Sequence, residues 1–552
     1  MKNWIKSGKP WIWLTAGAVS ICLLAVIGLL GLITVRGMVH FWPADIHAYQ
    51  YKDPHQNGEI IQVVGELREK EEVSLERIRD SGVALDSSSD RISRYLIKVG
   101  NRDIGGSDFR WIIEPLIAGI TTPQEIVVFE RREWGNLHGH LQQLKVDGTV
   151  VAEGNAAWEP LQQQLAITLA LYDTIHNIEK GEIGAINHSL ERLRLEKRKL
   201  ELKNQATPEN LSEIKLQEEQ LQHEYAGLQK TLRTLYDEVK RATITVKVTT
   251  GQEVDVTLAN IVRAYQPNNL SIFSKTIFYF EKIGEFLSDE PREANTEGGI
   301  FPAIFGTVMM VIIMSMLATP FGVIAAIYLR EYAKQGLVTR TIRIAVNNLA
   351  GVPAIVYGVF GLGFFVYFLG GSIDSLFFPE ASPAPVFGTP GLLWASLTLA
   401  LLTVPVVIVA TEEGLSRIPR SIREGSLALG ATKAETLWRT IIPMASPAIM
   451  TGMILAIARG AGEVAPLMLV GVVKLAPSLP LDGNFPYLHL DQKFMHLGFH
   501  IYDVGFQSPN VEAARPLVYA TALLLVIVII VLNLAAIAIR NRLREKYKAL
   551  EQ

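Results

Sequence analysis

Cysteine is almost absent from this 552-residue sequence, and the single one, Cys22, lies within a long apolar run. An intrachain disulfide is therefore impossible. The sequence also lacks the G-x-x-x-x-G-K-[ST] loop that binds nucleotide phosphates, so the chain is not expected to hydrolyse ATP. It contains no metal-ligand cluster and no convergent nucleophile, base and orienting residue. We therefore expect no enzymatic activity, no cofactor, no metal site and no nucleic-acid partner.

Long hydrophobic runs are what the sequence has in abundance. Hydrophobic residues make up 49% of the chain and are concentrated in stretches with few or no charged residues. A helix needs about 20 residues to cross the hydrocarbon core of a membrane. Six stretches reach that length: residues 11–35, 300–329, 345–373, 391–410, 443–473 and 516–539. The sequence therefore predicts an α-helical membrane protein with six transmembrane helices, an N-terminal anchor followed by a core of five.

The first run, residues 11–35, allows two interpretations. A cleaved signal peptide has an apolar region of about 7–15 residues, followed by small residues at the cleavage site. This run is longer, and no clear small-x-small site follows it. We therefore predict an uncleaved membrane anchor.

The positions of lysine and arginine indicate how the chain is oriented. Basic residues precede the first run, fill the loop between the second and third runs, recur in residues 417–439 and follow the last run. With six crossings these four segments share one side, and residues 371–390 on the other side contain no Lys or Arg. Because basic loops stay in the cytoplasm, we predict a multi-pass protein of the cytoplasmic (inner) membrane with both termini cytoplasmic.

A large polar segment separates the first two runs. Strand-like patterns occur at residues 94–99, 125–129 and 141–151, and residues 243–258 fit a hairpin. We therefore predict four parts: an N-terminal tail and anchor at 1–36, an extracytoplasmic α+β domain at 37–297, the five-helix core at 298–540 and a basic cytoplasmic tail at 541–552.

A long helical hairpin is predicted inside the extracytoplasmic domain, over residues 158–203 and 210–241. Its second arm carries apolar residues at the alternating three- and four-residue steps of a coiled coil, with Glu218 the only polar exception: Leu211, Ile214, Leu221, Tyr225, Leu228, Leu232, Leu235 and Val239. We predict an antiparallel coiled coil that projects from a β-rich base. Its role stays open between a spacer and a docking arm for a partner subunit or substrate-delivery protein.

Two charged residues interrupt the fifth apolar run. Arg459 and Glu463 are four residues apart, so a continuous helix would place them on one face. A charge at the bilayer centre costs roughly 2.5–3.5 kcal/mol unless it faces a partner or a wet cavity. One interpretation is a salt bridge that fixes helix packing. The other is a translocation path for an anion, because guanidinium presents a fork of donors that matches a tetrahedral oxyanion. Glu463 would then hold Arg459 in one state and release it in another.

Residues 421–443, which we call the elbow, are predicted to form a helix-turn-helix between two apolar runs. Two S/T-x-x-E capping boxes mark the helix starts: Ser421 with Glu424, and Thr432 with Glu435. Gly430 fits the left-handed residue that ends the first helix. Five residues are predicted to share one face of the second helix: Ala434, Leu437, Trp438, Ile441 and Ile442.

The elbow resembles the EAA loop of ABC-importer permeases, on which the ATPase subunit docks. Three further blocks resemble the PstA-type phosphate ABC-transporter permeases, in an extended form with a large extracytoplasmic insert: residues 306–332, 349–358 and 455–467. The resemblance covers residues 298–547. The chain departs from it at Gly425-Ser426, where the family commonly has two alanines, and at Val464, where threonine is common.

The resemblance implies a permease subunit of an ATP-driven importer for inorganic phosphate, which forms the translocation path with a second, homologous permease. It implies three further partners: a separate ABC ATPase, an extracytoplasmic phosphate-binding protein and membrane lipid. Glu424, Gly430 and Pro443 would couple the elbow to the ATPase, and Arg459 with Glu463 would line the path. Glu424 also fits a plain capping role. Two alternatives stay open: a permease for another oxyanion such as sulfate or molybdate, and a membrane sensor or scaffold with an extracytoplasmic coiled coil.

Overall fold

The computed structural model of the chain describes residues 7–54, 59–83, 85, 89–249, 251–508 and 511–547. Parts of the two predicted basic termini, residues 1–6 and 548–552, lie outside the described residues. The chain forms two compact units. The membrane unit comprises Met1–His40 and Ile300–Gln552, and the insert comprises Phe41–Gly299. The membrane unit begins with helix α1 (Lys9–Val39).

Two antiparallel sheets form the base of the insert. The first has the order β4-β3-β2-β1-β5 and contains β1 (Ile46–Lys52), β2 (Ile60–Ser74), β3 (Arg91–Lys98), β4 (Phe109–Ile113) and β5 (Ile117–Thr121). The second has the order β10-β9-β7-β6-β11, with β8 paired to β7, and contains β6 (Val127–Arg131), β7 (Leu137–Val146), β8 (Thr149–Glu153), β9 (Ala242–Val248), β10 (Glu253–Thr257) and β11 (Ile261–Tyr265). A short ribbon pairs β12 (Pro291–Arg292) with β13 (Glu297–Gly298).

The turn between β7 and β8 shows how sequence sets this topology. Asp147 and Gly148 form its two central positions, with φ of 51° and 76°. Two consecutive positive φ values are what a type I′ hairpin turn requires, and Asp-Gly tolerates them better than most residue pairs. The strand signals read from the sequence lie in β3, β6, β7, β8, β9 and β10, so the predicted α+β character of the insert is confirmed.

The insert also contains helices, some of which form one long hairpin. They are α2 (Leu75–Asp80), α3 (Arg102–Gly105), α4 (Trp158–His176), α5 (Gly184–Leu202), α6 (Pro208–Val239) and α7 (Ile272–Ser288). A π-helical segment, Asn177–Ile183, joins α4 to α5. Near the base of the hairpin Ile175 and Ile178 pack with Leu232 and Val239. The helical hairpin is therefore present, and its supercoiling as a coiled coil stays a prediction.

The helices of the membrane unit after the insert are α8 (Phe301–Ile327), α9 (Leu337–Leu349), α10 (Ala354–Phe360), α11 (Gly371–Phe377), α12 (Leu392–Arg417), α13 (Arg420–Ala428), α14 (Lys433–Thr436), α15 (Ile442–Gly462), α16 (Leu467–Val470), α17 (Leu497–Tyr502) and α18 (Val511–Tyr547). In the described part of this unit, four π-helical segments extend or join them: Tyr328–Tyr332, Gly361–Gly370, Leu437–Ile441 and Asp503–Gln507.

Six helical stretches among the described residues are long and apolar enough to cross a membrane. They are Trp11–Val39, Phe301–Tyr332, Ala354–Phe377, Leu392–Arg417, Lys433–Gly462 and Ala514–Arg542. Several predicted bounds are wrong; the fifth span, for example, begins at Lys433 rather than at residue 443. The third span begins at Ala354 rather than at residue 345, because Gly351 and Pro353 interrupt the helix and leave residues 345–349 in α9. The fifth helix ends at Gly462 rather than at residue 473.

Close backbone approaches hold the membrane unit around α12. A Cβ at Gly414 of α12 would lie 2.2 Å from the Cβ of Ala448 in α15, and one at Gly452 of α15 would lie 2.9 Å from the Cβ of Ala410. A Cβ at Gly322 of α8 would lie 2.6 Å from Val407 of α12. Small residues at such crossings are typical of membrane helices, whose association depends on close packing. α12 is therefore the central helix, packed between α8 and α15.

Candidate functional site

The Arg459–Glu463 pair lies where the fifth helix ends. Arg459 is in the last turn of α15, and Glu463 follows Gly462 with an extended backbone, φ −84° and ψ 125°. The prediction that both residues share a continuous helix face is therefore wrong. Glycine at 460 and 462 weakens the helix, and Pro466 disfavours a helical conformation at the residue before it. The two side chains still meet, with Arg459 Nε 3.6 Å from Glu463 Oε1.

Arg459 also reaches a break between two other helices. Its Nη2 lies 3.5 Å from the carbonyl oxygen of Ala350, which follows the last residue of α9. The last carbonyls of a helix lack intrahelical donors and carry the negative end of the helix dipole, so a cation is favourable there. Arg459 and Glu463 are 30% and 27% exposed, so the guanidinium is only partly enclosed by these contacts.

The depth of Arg459 follows from its neighbour. A Cβ at Gly460 would lie 2.4 Å from Met314 Sδ, and Met314 is near the middle of α8 (Phe301–Ile327). Arg459 is therefore level with the middle of a membrane-spanning helix. An ionised side chain at that depth is energetically costly unless it faces a counter-charge, another polar partner or a water-filled cavity. Its separation from Glu463 exceeds hydrogen-bond length, which leaves room for another acceptor at the guanidinium.

The elbow consists of α13, a tight turn, and a helix that continues from α14 into α15. Gly430 has φ +89°, the left-handed conformation predicted for the residue after the first helix. The N–H of Gly430 donates to Leu427 O, and that of Ala431 donates to Ser426 O. These two bonds form a Schellman motif, so the predicted glycine stop is confirmed.

One of the two predicted capping boxes is present. Thr432 Oγ1 accepts a hydrogen bond from the N–H of Glu435, and Glu435 Oε2 accepts one from the N–H of Thr432. The other prediction, Ser421 with Glu424, is wrong. Helix α13 begins directly after Pro419, which is its N-cap, so Ser421 is already the second helical residue and cannot cap it. Glu424 is exposed, and its side chain is not needed to begin the helix.

The second elbow helix buries a narrower face than predicted. Leu437 and Ile441 are buried against Leu415 and Ile418 at the end of α12. Ala434 is exposed and Trp438 is 73% exposed, so the expectation that these two residues share the buried face is wrong. The physical reason lies in Pro443, which has no N–H for the carbonyl of Arg439. A π-helical turn at Leu437–Ile441 precedes it, and the extra residue in that turn shifts the face expected from α-helical spacing.

An ion pair that the sequence did not reveal joins the elbow to the second span. Arg423 Nη2 donates to Glu331 Oε1 over 2.9 Å, and both side chains are largely buried. The same guanidinium donates to the carbonyl oxygens of Leu415 and Ile418. Lys433, on the other elbow helix, lies 4.5 Å over the ring of Tyr332. Both elbow helices therefore contact the segment that ends the second span.

A second feature missed from the sequence is the loop between the last two spans. Thr307 of α8 accepts a hydrogen bond from the N–H of Leu497 at 2.9 Å, so the loop is fixed to the second span. The adjacent His496 is buried, and burial lowers the pKa of its imidazole to about 3. Its Nδ1 accepts from the N–H of Gly498. His496 is therefore neutral near pH 7 and acts as a packing residue with a local hydrogen bond.

Comparison with known proteins identifies the family. The family described as binding-protein-dependent transport system inner membrane component matches residues 318–548. The phosphate transport system permease protein PstA 1 of Mycobacterium tuberculosis is 36% identical over 247 residues, which cover 44% of this chain and 71% of that protein. The chain belongs to this permease family. It is therefore a multi-pass membrane permease, and the matched range contains both the elbow and the Arg459–Glu463 pair.

Further relatives of this permease give the same description. A probable phosphate transport system permease protein PstA of Methanocaldococcus jannaschii is 31% identical over 221 residues, which cover 39% of this chain and 67% of that protein. Among solved structures, an inward-facing MetNI methionine ABC transporter covers 44% of this chain and 94% of its own, at 19% identity and a TM-score of 0.33. The family match begins after the insert.

Proposed function

We propose that this permease is a subunit of an ATP-driven ABC importer for inorganic phosphate and forms the translocation path together with a second, homologous permease. The observation that carries the proposal is the similarity to proteins of two organisms whose names describe a phosphate transport system permease. The chain contributes no ATP-binding loop of its own, so the proposal includes a separate ATPase.

Arg459 is the residue that we propose for anion contact in the path. It is an obligate cation level with the middle of a membrane-spanning helix, and Glu463 and the Ala350 carbonyl hold it loosely. A tetrahedral oxyanion offers stronger acceptors than a carbonyl and takes the guanidinium in bidentate fashion. We propose that phosphate competes with Glu463 for Arg459, and that Glu463 recovers the guanidinium as the anion leaves.

The elbow is the part that we propose for ATPase docking. Its outer surface exposes Leu429 and Trp438, together with the carboxylate of Glu424. Exposed apolar side chains on a small helical element are typical of an interface, and large aromatic residues often dominate such interfaces. Gly430 would fix the turn between the two docking helices, and Pro443 would fix the bend into the fifth span.

Coupling requires that elbow movement reaches the spans. The Arg423–Glu331 pair joins the first elbow helix to the end of the second span, and Leu437 with Ile441 joins the second elbow helix to the end of α12. We propose that ATP binding closes the ATPase dimer on the elbow and that these contacts convey the closure to both spans. An extracytoplasmic phosphate-binding protein would deliver the cargo on the opposite side, with the elbow and both termini in the cytoplasm.

A permease for sulfate or molybdate is the second candidate, because a guanidinium recognises any tetrahedral oxyanion. The names of the relatives favour phosphate. The deciding experiment is uptake of radiolabelled phosphate into vesicles that contain this chain and its co-purified partners. We expect ATP-dependent accumulation that excess sulfate or molybdate leaves largely intact. Accumulation that sulfate abolishes, or uptake that does not need ATP, would overturn the proposal.

A further inference from the structure

Helix α7 of the insert exposes an apolar stripe. Phe273, Ile277, Phe280 and Leu287 are all exposed, and their spacing of four, three and seven residues places them on one face of the helix. Ile272 extends the stripe at the N-terminal end. A contiguous apolar surface of this kind is unfavourable in water and marks a surface that is covered in the working protein.

The helix cannot rotate this stripe into the insert, because its other face is fixed. Phe286 is buried, and the ring of Phe278 packs on Tyr265 of β11 with centroids 4.6 Å apart. Lys282 Nζ lies 2.6 Å from Glu130 Oε2 of β6, and Lys275 forms an ion pair with Asp45. The stripe is therefore held outward by aromatic packing and two ion pairs.

The position of the stripe in the chain identifies what covers it. Phe41 and Trp42 come just after His40, the C-cap of α1, which is the first membrane-spanning helix. The ring of Tyr279 in α7 packs on both, at centroid distances of 6.4 Å and 5.9 Å. Residues that directly follow a span lie at the membrane surface, and Trp and Tyr are enriched at that depth. Tyr279 of α7 therefore contacts residues that the chain tethers to the end of this span.

We propose that α7 lies in the lipid headgroup region of the outer face of the membrane, with Ile272, Phe273, Ile277, Phe280 and Leu287 against the acyl chains. An amphipathic helix parallel to the membrane surface buries its apolar face in this way. The inference does not depend on the cargo of the permease. It makes the insert a domain with its own lipid contact, in addition to the spans that precede and follow it.

The charges on α7 predict which lipids are sufficient for its contact with the membrane. Both of its lysines are engaged in ion pairs within the insert, Lys275 with Asp45 and Lys282 with Glu130 and Glu285. Attraction of basic residues to anionic lipid therefore contributes little, and apolar burial supplies the affinity. The contact forms equally on a neutral phosphatidylcholine bilayer and on an anionic one.

Site-directed spin labelling tests this inference on the full chain. Cys22 is the only cysteine, so Cys22→Ser gives a background for single labels. A nitroxide at Phe280→Cys, in phosphatidylcholine nanodiscs, is compared with one at Leu216→Cys on the helical hairpin; the two native side chains are 65% and 57% exposed. Collision with oxygen reports lipid, and collision with a water-soluble nickel chelate reports solvent.

We expect the Phe280 label to favour oxygen over the chelate and the Leu216 label to favour the chelate, with no change when anionic lipid is added. A second label at Ile277→Cys repeats the test should the first variant fold poorly. A Phe280 label that favours the chelate would overturn the proposal. Protection of that label from both reagents would do so as well, because it would indicate that a protein surface covers the helix.

Discussion

Arg423 donates a hydrogen bond to Glu331 at 2.9 Å, although the two residues are 92 positions apart in the sequence. The first belongs to the elbow and the second to the segment that ends the second span. Three hydrogen-bond acceptors surround the guanidinium: the Glu331 carboxylate and the carbonyl oxygens of Leu415 and Ile418. One side chain thus joins the elbow to the ends of two membrane helices.

Replacing Arg423 by Ala is expected to loosen the elbow. A buried hydrogen bond to a charged group contributes about 1.5–3 kcal/mol, and its loss leaves Glu331 without this partner. We expect a lower melting temperature of the detergent-purified chain and a loss of ATP-dependent uptake. The matched control is Arg417→Ala, whose ion pair with Glu413 is mostly exposed. An exposed pair contributes roughly 0–1 kcal/mol, so equal effects of the two variants would contradict the prediction.

Alanine substitution at two glycines of the elbow should change the stability of the protein in opposite directions. Gly430 has φ +89°, where an L-residue is strained by about 1–2 kcal/mol, so Gly430→Ala is expected to destabilise the turn. Gly425 lies inside α13, and a Cβ there would meet open space. Gly425→Ala should therefore stabilise the helix by roughly 0.5–1 kcal/mol. Thermal unfolding of both variants against the parent protein measures the difference, and shifts of the same sign would refute it.

Much of this architecture is predictable because its signals are local. Apolar runs of sufficient length predict the six spans, and a glycine followed by a Thr-x-x-Glu pattern predicts the turn at Gly430 and the cap at Thr432. Ser421–Glu424 matches the same capping pattern, yet Pro419 begins the helix earlier and leaves that pair inside it. A sequence pattern describes a suitable cap without stating where the helix begins.

The remaining features depend on contacts between distant segments or on backbone irregularity. Arg423 and Glu331 look like ordinary basic and acidic loop residues until the fold brings them together. Trp438 belongs to the buried face only if the helix keeps α-helical spacing, and the π-helical turn before Pro443 changes that spacing. Glu463 shares a face with Arg459 only if the helix continues past Gly462, which it does not.

Leu437 and Trp438 are adjacent, and variants of the two residues distinguish an effect on ATPase docking from an effect on folding stability. Trp438 is 73% exposed, so Trp438→Ala is expected to leave the melting temperature nearly unchanged while weakening retention of the ATPase during co-purification. Leu437 is 4% exposed, so Leu437→Ala should cost about 2–5 kcal/mol through loss of core packing. If Trp438→Ala retained the ATPase as well as the parent protein does, the docking role of this side chain would be ruled out.

The base of the insert should lose stability in acid. Burial raises the pKa of Glu285, but Lys282, Arg263 and Arg292 outweigh it and lower the pKa to about 2. Because this value is below the ordinary 4.5, the stabilisation is present above pH 4.5 and disappears as the pH falls towards 2. Glu285→Gln is therefore expected to destabilise the insert near neutral pH and to make little difference near pH 2.

Limited proteolysis of α7 measures how the stability of the insert depends on pH. Its protection is compared at several pH values, with an acid-tolerant protease and a neutral one. The control is Glu281→Gln on the same helix, because the Glu281 side chain is exposed. We expect its protection to follow that of the parent protein at every pH. A deficit in Glu285→Gln that persists undiminished into strong acid would show that the carboxylate charge is not the cause.

Arg459 and Glu463 have different expected roles in transport, and charge-neutral variants separate them. Arg459→Gln removes the cation that we propose contacts the anion, and a charged hydrogen bond of about 1.5–3 kcal/mol corresponds to roughly 10–100-fold in affinity. We expect phosphate uptake to fall by about 10-fold or more while the subunits still assemble. Arg340→Gln is the control, because Arg340 is an exposed residue of α9.

Glu463→Gln leaves Arg459 without its competing carboxylate, 3.6 Å away in the parent protein. It should therefore lower KM for phosphate and also lower the maximal rate, since release of the anion is slowed. Uptake kinetics in vesicles distinguish this result from a simple packing role, in which both variants would reduce assembly and leave KM unchanged.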